Sequence, residues 1–330
     1  MEWGLSGMDR DEHCPISKAY LTKCFKEVLG ITSKITNLTN FHGGAQKTVF
    51  KVQFEDGLQL VLYIWDLTSN YFEEEINTST DEHESFGAEL FENNNRFLIH
   101  QGIKTPALYY MNKERTQYPF DFAIVEYVSG DNLSEFINSE SGVEAIVFDR
   151  FAQLLERMHS IRSMGWGQVG KVKHTEPCHR MVYDNTLEAI RYTCGYVEVF
   201  AMNESRLVEM LQRLNAAIRP RQDYGFIHDE LGPDHVLVND KLEPYLIDIE
   251  GARWFDIEHE HSFLQFRFEN YNRYLSRTDL DEDRMRFYKL CHHLSCASGG
   301  LKLMQRGFPN QKLAKEIFES NVQSSLNFLR

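Results

Sequence analysis

A short apolar run, Phe226-Ile227, opens into His228-Asp229-Glu230-Leu231-Gly232-Pro233-Asp234-His235, a loop dense in carboxylates, and closes on a second run, Val236-Leu237-Val238. A tight turn at Asn239-Asp240 follows, and a third run ends in Leu246-Ile247-Asp248-Ile249-Glu250. Turn residues between two short apolar runs predict a hairpin. This hairpin has an acid just before it and another at its far end. A carboxylate at the end of a buried strand is costly unless it is paired or binds metal. The chain is therefore expected to fold around a charged site, with His228, Asp229, Glu230, His235 and Asp248 as its candidate residues.

The rest of the chain divides by its periodicities. Ile16, Tyr20, Cys24 and Val28 recur at helical spacing and predict a leading helix. Phe50, Val52 and Phe54 alternate with polar residues, Asp56-Gly57 breaks the pattern, and Leu58, Leu60, Leu62 and Ile64 alternate again. Two period-two runs about an Asp-Gly pair predict a second hairpin. Glu82 to Gln101 reads as a polar helix closing at Gly102, and Thr105-Pro106 leads into a strand over 107–110. Phe122 to Val128 is a continuous apolar strand. Beyond it the pattern is helical. Val147, Phe151, Leu154 and Met158 mark one face, and Leu207, Leu211, Leu214 and Ile218 mark another. Leu313, Ile317, Val322 and Leu326 mark a terminal helix. The expectation is an α+β chain with a small β-rich part, 1–128, and a larger helical part, 129–330.

Composition narrows the partners. A formal net charge of −14 argues against nucleic acid, because a phosphate backbone is met by a basic stripe. The same charge is compatible with a small cationic ligand. No run approaches the roughly 20 apolar residues that span a bilayer, so no membrane partner is expected. Met1-Glu2-Trp3-Gly4 has neither a basic region nor an apolar signal core, which predicts a cytoplasmic protein. The six cysteines form no pair of CxxC units and read as reduced thiols.

The segment from His228 to Asp248 resembles the catalytic and metal-binding loops of the aminoglycoside phosphotransferase family, relatives of the protein kinases. That family shows His-x-Asp, four residues, Asn, two apolar strands and an Ile-Asp pair. Here His228 fits the His, Glu230 stands at the catalytic Asp, His235 stands at the metal-binding Asn, and Asp248 fits the metal-binding Asp. The resemblance implies a two-lobed protein-kinase-like fold with 1–128 as the nucleotide-binding lobe. It implies transfer of the γ-phosphoryl of ATP or GTP, with Mg²⁺ or Mn²⁺, to a hydroxyl of a small cationic acceptor such as an aminoglycoside. Antibiotic resistance would follow from such an acceptor.

The same resemblance assigns further roles. His42-Gly43-Gly44-Ala45-Gln46-Lys47 precedes the first hairpin, where Gly43 and Gly44 let backbone amides approach phosphates. The strand ending at Glu126 and Val128 would lead to the hinge that meets the nucleotide base. The lysine expected on the third strand is missing, and Tyr63 occupies its position in Leu60-Val61-Leu62-Tyr63-Ile64-Trp65. Lys47 and Lys51 are the substitutes, and Lys47 is favoured, as in a group of kinases that recruit a lysine from the glycine loop. Glu92 is the helical glutamate chosen to orient it, with Glu89 next. Glu230 would orient the attacking hydroxyl, Asp229 competes for that role, and His228 would hold the loop. Asp256 is expected to brace the loop through backbone bonds. Glu258-His259-Glu260-His261 reads as a solvated helix start, because alternate residues on a helix point apart. Two rivals remain: a degenerate kinase-fold binding protein, and a metal-dependent hydrolase on His228, Asp229, His235 and Asp248.

Overall fold

A computed structural model describes residues 14–41, 45–78, 86–139, 141–173 and 176–330. They fall into two compact units. One runs to Asn70 and adds Ala107–Tyr127, and the other joins Tyr71–Pro106 to Val128–Arg330.

The first unit is one helix on one antiparallel sheet. Helix α1 (Lys18–Leu29) starts where the Ser17 hydroxyl accepts from the Tyr20 amide and stops at Gly30, whose φ of 68° is left-handed. Its buried face is Leu21, Cys24 and Phe25, and Val28 is exposed, so the predicted stripe is turned by part of a turn. Strands β1 (Ile35–Asn40), β2 (Thr48–Phe54), β3 (Gln59–Trp65), β4 (Leu108–Asn112) and β5 (Asp121–Glu126) lie in the order β1-β2-β3-β5-β4. Asp56-Gly57 makes the β2–β3 turn, with Gly57 at φ 88°. Phe50, Val52 and Phe54 point into the core with Leu60, Leu62 and Ile64, as their alternation predicts. Val61, Tyr63 and Trp65 on the other face of β3 are buried too.

The second unit contains the helices after α1. It opens with α2 (Glu73–Thr78) and α3 (Ala88–His100), and the polar helix expected from Glu82 is described from Ala88 onward. Strand β6 (Gly130–Asn132) and the long α4 (Ser141–His159) follow, then β7 (Arg162–Ser163), β8 (Trp166–Gln168) and β9 (Lys171–Lys173). Helices α5 (Cys178–Cys194), α6 (Glu198–Ala201) and α7 (Glu204–Ala217) lead to β10 (Tyr224–Ile227), β11 (Val236–Asn239), β12 (Pro244–Leu246) and β13 (Arg253–Phe255). Helices α8 (Ile257–Arg267), α9 (Tyr271–Tyr274), α10 (Glu282–Gln305) and α11 (Gln311–Asn327) complete it. Strands β11 and β12 pair as the predicted hairpin, Val236 opposite Leu246, and β10 joins a separate sheet in the order β7-β10-β13-β8-β9.

The faces predicted for α4 and α7 are buried. Of the face predicted for α11, Leu313 is exposed and Val322 and Leu326 pack partly buried against the core, while the residues buried most deeply are Ala314, Asn321 and Ser325. The cause is close helix approach. A Cβ on Gly300 of α10 would stand 2.7 Å from the Phe318 amide nitrogen, so this contact admits only small or hydrogen-bonding groups. Asn321 is one of them and meets His293 Nδ1 at 2.8 Å.

Candidate active site

Every residue of β10 is buried, which fixes where the loop that leaves it begins. His228 is buried next, and its Nε2 lies 2.8 Å from the carbonyl oxygen of Ile247. That bond ties the start of the loop to the residue before Asp248. His228 is thus placed to hold the loop, the role expected of it.

Asp229 has a φ of 84°, in the left-handed region that a non-glycine residue adopts only when its surroundings impose it. The turn sends its carboxylate inward, where Oδ2 meets Arg253 and Oδ1 lies 3.2 Å from His259 Nδ1. Burial alone would raise this carboxyl, but the Arg253 charge and the His259 hydrogen bond outweigh it and hold it well below the usual range. Asp229 is therefore committed to the interior, against Arg253 and His259.

Glu230 points the other way and is exposed. Desolvation of its carboxyl end by the surrounding loop, and then the charges of Asp248 and Asp229, push it up to about 7. His235 follows in a short turn, Pro233–His235. Its Nδ1 lies 2.7 Å from the Glu230 carbonyl oxygen, and its Nε2 lies 3.5 Å from Asp248 Oδ2. Glu230, His235 and Asp248 thus form one outward-facing group. Asp248 itself departs from expectation. It is two residues beyond β12, left-handed at φ 61°, with a side chain 40% exposed rather than buried. Among the described residues, no three His, Cys, Asp or Glu side chains gather so as to hold a metal ion by themselves.

The loop is braced by a residue the sequence reading passed over. Asp256, expected to do this, points to α10 instead, where it takes Arg284 and the Tyr288 hydroxyl, the latter at 2.6 Å. Glu260, one turn further along α8, accepts the amides of His228 and Asp229 on Oε1 at 2.8 and 3.1 Å. Its Oε2 lies 2.6 Å from His159 Nε2. Burial pushes the Glu260 carboxyl up to about 7 and the His159 imidazole down to about 3. The run 258–261 is accordingly buried, not solvated: Glu258 meets Arg221, His259 meets Asp229, and His261 meets the Tyr271 hydroxyl. Alternate residues do point apart, but residues 257–264 are buried and each direction leads to a different partner.

Two other features bear on the site. Asn94 of α3 donates to the carbonyls of Ile249 and Glu250 at 2.7 and 3.1 Å, fastening the segment after Asp248. Its only signal in the sequence was a polar residue at a helix position that the structure buries. Glu92, on the same helix, pairs with Arg96 at 2.6 Å.

In the first unit, Tyr63 is buried in the slot of the missing lysine, and the Lys47 ammonium lies 5.1 Å from its ring centre. Lys51 lies over Tyr127 at 4.1 Å. The Glu126 side chain accepts from the Ala107 amide at 3.0 Å, and Val128 is buried in the second unit. His42, Gly43 and Gly44 lie outside the described residues.

A family model described as the phosphotransferase enzyme family matches residues 37–288. The chain belongs to this family. Solved structures agree on the fold, which is protein-kinase-like, α+β, with a β-rich N-terminal lobe and a larger helical C-terminal lobe. A thermostable mutant of aminoglycoside phosphotransferase APH(4)-Ia, in its apo form, is 14% identical with a TM-score of 0.63, over 92% of this chain and 98% of that one. Spectinomycin phosphotransferase APH(9)-Ia, in complex with ADP and spectinomycin, is 14% identical with a TM-score of 0.62, over 93% and 95%. Choline kinase LicA from Streptococcus pneumoniae is 13% identical with a TM-score of 0.61, over 94% and 99%. No curated protein sequence matches the chain. Among the described residues no helix is long and apolar enough to cross a membrane.

Proposed function

We propose that this phosphotransferase moves the γ-phosphoryl group of ATP or GTP to a hydroxyl of a small cationic molecule, of the aminoglycoside class or close to it. The observation that carries the reading is the outward-facing group of Glu230, His235 and Asp248, with the last two 3.5 Å apart. A carboxylate with a pKa near neutrality is matched to accepting a hydroxyl proton at neutral pH. Glu230 would orient the acceptor hydroxyl and take its proton as the phosphoryl group is transferred.

Asp248 and His235 fit a divalent ion. Two donors each about 2.1 Å from one ion stand at most roughly 4.2 Å apart, and these two lie within that span. Phosphate oxygens and water complete such sites, so two protein ligands suffice. The ion, when bound, would neutralise charge on the phosphates. In this reading residues 1–128 serve the nucleotide. Gly43, Gly44 and Lys47 would hold its phosphates, Lys51 would be secondary, and the backbone near Glu126 and Val128 would meet the base. Residues 129–330 would supply catalysis and acceptor binding.

The charge of −14 suits a cationic acceptor, and the relatives named for aminoglycosides, spectinomycin and choline point the same way. A cytoplasmic location, and a resistance role if the acceptor is an antibiotic, belong to the same proposal. A binding protein without turnover is the second reading, favoured by Tyr63 in the lysine slot. The test follows nucleotide binding and phosphoryl transfer in parallel, against aminocyclitols, peptide antibiotics and amino alcohols. Transfer to one of them is expected. Nucleotide binding without transfer to any would favour the second reading.

A further inference from the structure

His235 occupies a position where an amide was expected, and its surroundings decide which nitrogen faces the site. Its Nδ1 lies 2.7 Å from the Glu230 carbonyl oxygen, which can only accept, so Nδ1 carries the hydrogen. In the neutral ring the lone pair is then at Nε2, the atom 3.5 Å from Asp248 Oδ2. The carbonyl on Nδ1 therefore leaves Nε2, and not Nδ1, as the nitrogen that can act as a donor atom on the Asp248 side.

The ring is fixed in this pose. The His235 amide donates to the Gly232 carbonyl at 3.0 Å, and its own carbonyl accepts from the Ile247 amide at 3.0 Å. The ring also stacks near His228, with centres 5.9 Å apart and planes 24° from parallel. Asp248 is presented from a left-handed backbone, and both side chains remain reachable from solvent, at 21% and 40% exposure.

We propose that His235 Nε2 and Asp248 form a mixed nitrogen–oxygen site that selects a first-row transition-metal ion over Mg²⁺. The proposal rests on the phosphotransferase reading for its setting and deepens it by naming the class of ion. Mg²⁺ demands oxygen donors in near-ideal octahedral geometry and sheds water reluctantly. Imidazole nitrogen suits the transition metals. Mn²⁺, which accepts carboxylate, phosphate and imidazole donors together, is the probe.

The full chain is titrated with Mn²⁺, with and without a non-hydrolysable ATP analogue, and bound Mn²⁺ is followed by electron paramagnetic resonance. Mg²⁺ is added as competitor, and nucleotide binding is measured separately with each ion. Expected for the wild type are the ¹⁴N modulation of a directly bound imidazole and displacement by Mg²⁺ only at large excess. His235→Asn should lose the modulation and about tenfold or more of the preference for Mn²⁺ over Mg²⁺. Bound Mn²⁺ with no imidazole modulation in the wild type overturns the inference whatever the variant does. An unchanged preference in His235→Asn overturns it too. Imidazole-bound Mn²⁺ in a protein that binds no nucleotide with either ion would uphold the site and remove the phosphotransferase reading.

Discussion

The loop 228–235 has an inner and an outer side, and neighbouring carboxylates on the two sides are treated in opposite ways. On the inner side Asp229 is buried against Arg253 and His259 and held well below the ordinary range, while Glu260 takes the loop amides. On the outer side Glu230 stands exposed with Asp248 and His235 and is pushed up to about 7. The left-handed backbone at Asp229 makes the division, turning one side chain in and the next one out. The inner side uses charge to fix shape, and the outer side presents a carboxyl raised by its surroundings beside His235 and Asp248.

Five substitutions follow, three on the loop and its neighbour Asp248 and two in the first unit. Asp248→Asn, on the outer side, is expected to abolish metal-dependent phosphoryl transfer while thermal unfolding stays near that of the wild type. Activity in a folded Asp248→Asn protein would remove Asp248 from the site. Glu230→Gln should lower turnover by roughly 10²–10⁴ with nucleotide affinity nearly unchanged. Since the base form of Glu230 forms only above about pH 7, wild-type turnover should climb through that pH. That limb should vanish in the variant, and its survival would show that another group is the base.

Asp229→Asn should act on stability. Removing one partner of a buried ion pair costs about 3–5 kcal/mol, and Arg253 would be left behind. The Asp229 carboxyl is lowered in the fold, so its contribution is present above its unfolded value of about 3.9 and is lost as pH falls below it. The difference in melting temperature between wild type and variant should therefore be full at pH 7 and shrink below about pH 4. A variant as stable as the wild type at pH 7, yet inactive, would move the chemistry to the inner side. The smallest effect is expected in the first unit. Lys47→Met should weaken nucleotide use by about tenfold or more, as a charge-assisted contact is worth about 1.5–3 kcal/mol, and Lys51→Met should do less. The reverse order would move the phosphate contact to Lys51.

Much of this organisation is legible along the chain. The Asp-Gly hairpin, the β11–β12 hairpin and the helical stripes of α4 and α7 follow from local periodicity, because one buried face per element leaves a regular trace. The stripe of α11 is only partly right for a physical reason: at Gly300 the helices approach closely, so Ala314, Asn321 and Ser325 are buried deepest while Val322 and Leu326 are partly buried beside them. Helix α8 misleads further. Its charged residues look solvated, yet residues 257–264 are buried, and Glu258, His259 and Glu260 each meet a partner distant in sequence. The exchange of roles between Asp256 and Glu260 is invisible for the same reason, since both acids lie on one helix and only the neighbouring elements decide which one reaches the loop.

The sequence by itself determined the two-part α+β plan and the acids that bracket the hairpin, since turn chemistry and periodicity act over a few residues. It also exposed the departures at Tyr63, Glu230 and His235, which are matters of side-chain identity. Only the tertiary structure decided that Asp229 faces in and Glu230 faces out, that Glu260 holds the loop, and that His235 turns Nε2 toward Asp248. A carboxylate's pKa and an imidazole's tautomer depend on the charges, donors and acceptors within a few ångströms. Here those are supplied by Arg253, His259, Asp248 and the Glu230 carbonyl, which the fold, rather than the order of residues, brings together.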